Sequence, residues 1–591
     1  MGLNKTRGVS SLLHTLRSLG PHLWRYRRGL AFGIACLLLK DVAAVTLPLL
    51  IRGGIDALTV RDPMRTVLTF AAFLVAVALL KGLFQYGMRV ILIGISRDIE
   101  YDLRNDLFRH LVTLSPDFYG RHRTGDIMAR ATNDLNAVRM MTGPGLMYST
   151  ETGLTFLFAI AVMLSVDWQL TLLAVAPAPL VSLAVILFGR RIHDRFERIQ
   201  AKFSDISSRV QENFAGVRMV RAYVQEDAQL RDFERLNREY IDQNIRLVRI
   251  SGVFQPLLEA LIGLTFLIVL LEGGRRVLAG DITLGTFVMF NTYMGTLIWP
   301  MIALGWVVNL MQRGSASMER LNQIFRERPT IAAPPRPIPA SDLAGTVEFR
   351  RVSVDYPSGR ALDRIDLRIP AGSTVAIVGR TGAGKSTLVN LIPRLMDPDE
   401  GAVYLAGVDL RDLSPSELRR QIGFVPQETF LFSDSIAENI AFGVESATPE
   451  QIREAAQRAG LGPDIESFPK GFDTTVGERG ITLSGGQKQR TAIARAILRN
   501  PKILILDDAL SSVDTITEEN ILNGLAELMR GRTVILISHR VSTVRQADRI
   551  VVLEGGRIVE QGTHSELIGT GGYYADLYQK QLLEEELEVV D

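Results

Sequence analysis

A membrane all-α domain of six helices, fused to an α/β nucleotide-binding domain of the P-loop type, is the fold class this chain predicts. Three observations carry the expectation. Apolar residues make up 47% of the 591 and gather into six long runs before about residue 315. A polar, proline-rich stretch follows, and then a short apolar strand enters a glycine-rich loop that closes on Lys-Ser and a helical pattern. The length exceeds one compact core, so at least two domains are expected. A mean hydropathy of +0.16 is foreign to a large soluble enzyme.

The six runs lie near 28–51, 66–93, 141–165, 168–191, 250–273 and 283–313, each long enough for the ~20 residues that cross hydrocarbon as a helix. Joins after the first, third and fifth (52–65, 166–169 and 274–282) are short. Those after the second and fourth are long, charged and helical in pattern, and arginines enrich both, among them Arg104, Arg109, Arg121, Arg123 and Arg130. Basic enrichment marks the cytoplasmic side, so the N-terminus, both long joins and everything after the sixth crossing belong there. Lys5, Arg7, Arg17, Arg25, Arg27 and Arg28 precede the first run. That run is too long for a secretory signal and no small-residue cleavage site follows it, so it reads as a retained helix of a multi-pass protein of the cell (inner) membrane.

Lys40, Asp41, Gln85, Glu151, Glu272 and Asn291 interrupt the apolar runs. Polar groups in hydrocarbon turn toward a partner helix or a wet cavity. Phe84, Tyr86, Phe156, Phe290 and Met294 read first as core. The single cysteine, Cys36, cannot form an intramolecular disulfide and reads as a small buried residue. A charge of +2, left by 66 basic and 64 acidic residues, gives no footprint for nucleic acid.

Residues 315–344 carry Pro329, Pro334, Pro335, Pro337 and Pro339 and read as a linker. The expected divisions are therefore a cytoplasmic segment 1–27, a six-helix domain 28–314 with long cytoplasmic helical extensions, the linker 315–344, a nucleotide-binding domain 345–581 and an acidic tail 582–591. Strand-like runs at 347–354, 374–378, 503–506 and 533–537 alternate with helical segments in the fourth division.

After the strand ending at Val378 come Gly379, Arg380, Thr381, Gly382, Ala383, Gly384, Lys385, Ser386 and Thr387. Glycines let backbone N–H groups approach phosphate oxygens at a helix N-terminus, Lys385 brings a mobile cation, and the Ser386 hydroxyl can ligate magnesium. Downstream stand Leu483, Ser484, Gly485, Gly486 and Gln487, and then an apolar strand closing on Asp507 and Asp508.

Taken together, these motifs resemble the ATP-binding cassette (ABC) transporters, and the six helices ahead of them look like the exporter branch. The resemblance implies a half-transporter working with ATP and Mg2+. Position by position, it makes Tyr356 the aromatic that stacks on adenine. Gln427 becomes the glutamine that contacts magnesium and the attacking water, and Asp507 the magnesium carboxylate. His539 is the switch histidine at the γ-phosphate, and Asp514 belongs to a loop crossing the dimer. Leu483 to Gln487 would contact ATP held by the opposite subunit, so one chain cannot complete a site. Segments 121–126 and 216–225 are the candidate coupling elements, and 475–480 resembles the segment that touches them.

One departure stands out. The family places glutamate after the magnesium-binding aspartate, and here that position is Asp508. Aspartate is one methylene shorter, which withdraws the carboxylate by roughly 1.5 Å, and a general base must reach its water at hydrogen-bond distance. The substitution looks like the degenerate half of heterodimeric exporters, so Asp508, with His539 and Gln427, forms a slow catalytic set. Three readings stand: a heterodimer, which the resemblance favours; a homodimeric lipid or drug flippase with Asp508 as a weak base; and a nucleotide-gated channel or regulatory subunit. The partners implied are a second half-transporter, the lipid bilayer and an apolar or amphipathic substrate such as a drug, lipid or peptide. Export rather than import follows from the resemblance alone.

Overall fold

The computed structural model describes residues 17–59, 64–340, 343–477, 480, 482–513 and 515–590. Among the described residues, six helices are long and apolar enough to cross a membrane: α1 (Arg27–Thr59), α2 (Met64–Thr113), α3 (Thr124–Val166), α4 (Trp168–Ala215), α5 (Glu226–Ala279) and α6 (Leu284–Arg326). At 1.5 Å per residue, the 50 residues of α2 span about 75 Å, against about 30 Å of hydrocarbon. The charged joins are therefore continuations of the helices rather than loops. Short helices at Pro116–Arg121 and Val217–Ala222 form the two long-join turns, within the segments expected to couple or beside them. Large apolar side chains on α2, such as Phe73, Leu79 and Leu83, are exposed, as a lipid-facing surface requires.

The helices are not uniform. π-helical turns occur at Arg130–Asp134 and Met141–Gly145 in α3 and at Val269–Gly273 in α5. Pro144 lies in the second, where a widened turn relieves its missing N–H and its clash with the preceding turn. The short-join ends are tied across helices. Asp56 of α1 accepts from the Thr283 hydroxyl (2.9 Å) and the Gly285 N–H (2.9 Å) at the start of α6. Arg276 of α5 donates to Asp167 (2.7 Å) and Gln169 (2.9 Å) at the α3–α4 turn.

Phe290, Tyr293 and Met294 of α6 pack into a buried cluster with Val45, Ala159, Met163 and Val269, and the Tyr293 hydroxyl donates to the Val45 carbonyl. Cys36 is buried, as read from the sequence. Lys40 reaches Asp41 at 2.7 Å and Glu151 at 2.6 Å, and Thr155 donates to Asp41 at 3.2 Å. A lone ammonium there would be costly, and the two carboxylates make it tolerable. Glu272 bonds Arg275 and Arg276 instead, and Asn291 donates to the Phe287 carbonyl one turn back.

Residues 315–326, placed in the linker on composition alone, continue α6 to Arg326. Ser315 and Ser317 are buried, and Ser317 (2.9 Å) and Arg320 donate to the buried Asp134 of α3. Tertiary hydrogen bonds thus hold as helix a segment that reads as polar spacer.

The second compact unit spans 328–591 and takes in 113–122, where Ser115 Oγ accepts from the N–H groups of Thr330 (3.1 Å) and Ile331 (3.2 Å). Its strands are β1 (Val347–Tyr356), β2 (Gly359–Ile369), β3 (Thr374–Gly379), β4 (Glu400–Leu405), β5 (Val408–Asp409), β6 (Ile422–Val425), β7 (Ile503–Asp507), β8 (Thr533–Ile537), β9 (Arg549–Glu554) and β10 (Arg557–Gly562). A four-stranded antiparallel sheet has the order β2-β1-β4-β5, and a six-stranded sheet the order β10-β9-β3-β8-β7-β6. Within the latter, β9, β3, β8, β7 and β6 run parallel, and only the edge strand β10 is antiparallel. Every residue of β7 and β8 is buried, the continuous apolar pattern of a strand covered on both faces.

Replacing Lys40 with methionine leaves Asp41 and Glu151 facing each other without a cation. Breaking such a pair costs on the order of 3 kcal/mol, so thermal unfolding in detergent should move to lower temperature. Combining Lys40→Met with Asp41→Asn and Glu151→Gln should recover most of the loss.

Candidate active site

The phosphate loop is shaped by glycines that nothing else can replace. At Gly379, φ is +154° and a Cβ would stand 2.1 Å from the Leu553 carbonyl; at Gly384, φ is +97° and a Cβ would meet the Ala361 carbonyl at 2.5 Å. Only glycine combines these torsions with such close backbone approach. Helix α7 (Lys385–Asn390) starts directly after Gly384.

A cleft of about 370 Å³ opens over this loop, lined by Tyr356, Thr381, Gly382, Gly384, Lys385, Ser386, Thr387, Gln427, Asp507, Asp508 and His539. The predicted residues thus converge from β1, β3, β6, β7 and β8. Gly379, Arg380 and Ala383 do not line it: Gly379 serves backbone approach, Ala383 is in the core, and the Arg380 guanidinium stacks 5.9 Å from the Tyr573 ring. Ser358 of the β1–β2 turn and Gly359, Arg360 and Ala361 at the start of β2 also line the cleft. The sequence reading missed them, although the Pro357-Ser358-Gly359 turn signal was there to be read.

Lys385 is buried and donates to the carbonyls of Gly379 (2.8 Å) and Arg380 (3.0 Å). Burial holds its ammonium below the usual lysine range, partly offset by Asp508 and Asp507. Burial pushes the Asp507 carboxyl up; the Ser386 hydroxyl counters this, Asp508 reinforces it, and Lys385 and His539 pull it back. Asp507 Oδ1 is buried without a hydrogen-bond partner among the described residues. An orphaned carboxylate oxygen beside the Ser386 hydroxyl and the Gln427 amide is a set of hard oxygen donors that fits Mg2+. Asp508 is half-buried with φ +50°, a left-handed conformation that aspartate tolerates better than most residues. Its N–H donates to the Ile537 carbonyl at 2.9 Å. The Tyr356 hydroxyl is 3.5 Å from Thr387 Oγ1, and His539 and Gln427 are exposed on the cleft wall.

Leu483, Ser484, Gly485, Gly486 and Gln487 lie outside this cleft, at the start of α8 (Gly485–Leu498). Ser484 caps the helix through a reciprocal pair with Gln487, and Gln487 Nε2 donates to Asp464 at 2.9 Å. A Cβ on Gly485 would stand 3.1 Å from Ser512, and one on Gly486 would stand 3.1 Å from the Ser512 carbonyl. Gln489, unremarked in the sequence, donates to Ser511 (3.0 Å) and accepts from the Ser512 N–H (3.0 Å). Asp514 lies outside the described residues, as do Glu478 and Arg479 of the 475–480 segment.

A six-helix membrane unit and a P-loop unit with this motif set define a transporter driven by a nucleotide-binding cassette. The family model for the ABC transporter transmembrane region matches residues 30–301, and that for the ABC transporter matches 362–511. The probable multidrug resistance ABC transporter ATP-binding/permease protein YheI of Bacillus subtilis is 37% identical over 581 residues, covering 97% of this chain and 98% of that protein. The multidrug resistance-like ATP-binding protein MdlA of Escherichia coli is 39% identical over 88% of this chain and 89% of its own length. The ATP-dependent lipid A-core flippase of Syntrophus aciditrophicus is 35% identical over 96% and 94%. Among solved structures, a bacterial Atm1-family ABC exporter with ATP bound superposes with a TM-score of 0.78 at 28% identity, covering 94% of this chain and 99% of that one. The chain belongs to the ABC transporter family, with the architecture of an exporter half-transporter.

Two outcomes follow from the cleft. Gly384→Ala should cut ATP affinity by at least about tenfold, since a Cβ cannot be placed without moving the backbone that meets phosphate; binding of a fluorescent ATP analogue measures it. For Asp507, a raised pKa means the folded state keeps its proton to higher pH than the unfolded chain. Ionisation therefore costs stability, fully above the raised pKa and not at all below the ordinary range near 4. Asp507→Asn should raise the unfolding midpoint of the magnesium-free protein at neutral pH, with the gain shrinking as pH falls toward about 4. Stabilisation by Mg2+ and ATP should be weakened in the same variant.

Proposed function

We propose that this chain is the slow-site subunit of a heterodimeric exporter, taking apolar or amphipathic molecules across the cell membrane with its cassette on the cytoplasmic side. The observation that carries the reading is Asp508: it stands in the cleft with Lys385, Ser386, Gln427, Asp507 and His539, at the position where the family uses glutamate. In this reading Lys385 and the loop N–H groups bind the phosphates of ATP, and Tyr356 packs on the base. Ser386, Gln427 and Asp507 hold Mg2+, which supplies neutralisation of phosphate charge. His539 meets the γ-phosphate. Asp508, with its shorter side chain, is the weak element: it orients water poorly, and ATP stays bound longer than it is cleaved.

Leu483 to Gln487 form an intact, rigidly capped motif. Within the proposal they complete the other composite site, built on the partner's phosphate loop and glutamate, with Asp514 in the loop that crosses the dimer. ATP then acts as an adhesive between cassettes, and its cleavage at one site releases them, shifting the membrane halves between inward-open and outward-open states.

The substrate class is supported by a cavity of about 700 Å³ in the membrane unit. Phe156, Val175, Ala178, Pro179, Val307 and Met311 are among its lining, and among the described residues no ionisable side chain lines it. Its size suits a drug-sized apolar ligand. The printed names of the relatives, multidrug resistance proteins and lipid A-core flippases, point the same way. A homodimer with Asp508 as base is the second reading, favoured by the presence of His539 in the cleft.

ATP turnover by the purified chain alone, in lipid with magnesium, separates them. Negligible turnover is expected, rising by roughly a hundredfold in Asp508→Glu as a reaching general base is restored. Rapid turnover by the unmodified chain as a homodimer would overturn the heterodimer reading.

A further inference from the structure

The C-terminal helix α9 (Tyr573–Val590) carries Tyr574, Leu577, Tyr578 and Gln581 at i, i+3, i+4 and i+7, one face of a helix. The first three pack against Ala376, Val378, Val541 and Val544 beneath β3 and the segment after β8. Tyr574 is fully buried, and its hydroxyl meets His564 Nδ1 at 2.7 Å. Glu560 fixes the start of the helix by accepting from the N–H groups of Tyr573 (2.6 Å) and Tyr574 (3.3 Å). The apolar stripe therefore dictates where the fourth position falls.

At that position stands an amide. Gln581 Nε2 donates to the His539 carbonyl at 2.5 Å, and Gln581 Oε1 accepts from the Val541 N–H at 2.7 Å. One side chain thus satisfies the acceptor and the donor on either side of Arg540, in backbone that has left β8 and has no sheet partner there. The opposite side of the segment is held as well. The Arg540 N–H donates to Ser538 Oγ at 3.0 Å, and its guanidinium binds the Val513 carbonyl (2.9 Å) and the buried Glu518, which also takes the Thr543 hydroxyl. What the clamp leaves exposed is the His539 side chain on the cleft wall.

We propose that Gln581 is a positioning residue for His539: the C-terminal helix, 42 residues further along the chain, sets where the imidazole stands on the nucleotide cleft. The inference rests on the reading of His539 as a nucleotide contact. Glutamine suits the task because donor and acceptor must be supplied at once. Glutamate would still accept from Val541 but would turn a lone pair toward the His539 carbonyl, and methionine would fill the space while supplying neither.

The test uses the full chain in lipid nanodiscs with its histidines labelled with carbon-13 at Cε1, the His539 signal being assigned by its loss in His539→Ala. Adding Mg2+ and ATP should shift that signal in the unmodified chain. In Gln581→Met and in Gln581→Glu the shift should disappear, while affinity for a fluorescent ATP analogue stays unchanged; if one variant fails to fold, the other decides. An equal shift in the variants overturns the proposal, and so does a shift lost together with ATP affinity, which marks general damage. A His539 signal blind to ATP in the unmodified chain removes the reading of His539 and the proposal with it. No hydrolysis is needed, so the outcome at Asp508 leaves this test intact.

Discussion

Because β3, β6, β7 and β8 run parallel, the loops that follow them leave the sheet at one edge. The phosphate loop follows β3, Gln427 lies two residues past β6, Asp507 ends β7 and His539 lies two residues past β8. Register does the rest. Asp507 is level with Ile537, so a slip of one residue in β7 would turn its carboxylate to the opposite face of the sheet. The wholly buried strands β7 and β8 make that slip costly, and the Asp508 N–H bond to the Ile537 carbonyl extends the tie one residue beyond the strand. The cleft is a consequence of strand direction before it is a consequence of any side chain.

Burial of charge is the second constraint, and both units meet it by the same physics. In the cassette, Lys385 and Asp507 are both nearly buried, and each is strained toward its neutral form while the other opposes that drift. The lysine relieves part of the cost on loop carbonyls, and the aspartate keeps one oxygen without a partner among the described residues. Such a site has a standing preference for added charge: phosphate near the lysine and a divalent cation near the carboxylate. In the membrane unit, Lys40 is satisfied at once by Asp41 and Glu151 and Asp41 also takes the Thr155 hydroxyl, so α1 and α3 are cross-linked by an arrangement that hydrocarbon would punish if broken.

Much of this was legible in the sequence because the governing forces are local in sequence. Six apolar runs announce six crossings since hydrocarbon sets a minimum length, and the glycine pattern announces the phosphate loop since only glycine takes those torsions. Helix extent was legible only in part: the charged arms of α2, α4 and α5 carry a helical pattern, but the 315–326 segment is helix because Ser317 and Arg320 find Asp134, 183 and 186 residues away. Ser358 to Ala361 reach the cleft through pairing of β1 with β2, and Gln581 reaches His539 through the packing of α9. A polar residue that continues an apolar i, i+3, i+4, i+7 stripe was the available signal for Gln581, and it is a weak one until a fold supplies the backbone groups it satisfies.

The segment 508–513 ties these features together. Its first residue is bonded to the end of β8, Ser511 and Ser512 are bonded to Gln489 of α8, and the Val513 carbonyl is bonded to Arg540 beside His539. Six consecutive residues thus join the chain's own cleft to Gln489, two residues beyond the Leu483–Gln487 motif, and to the clamped segment at His539. In the proposed pairing that motif serves the other composite site, so this cleft would be linked, through Gln489 and the close packing of Ser512 on Gly485 and Gly486, to groups that act on the partner's nucleotide. Under that proposal a site that binds ATP and cleaves it slowly would not be idle: by holding its loop and helix in place, it would fix the geometry on which hydrolysis at the other composite site depends.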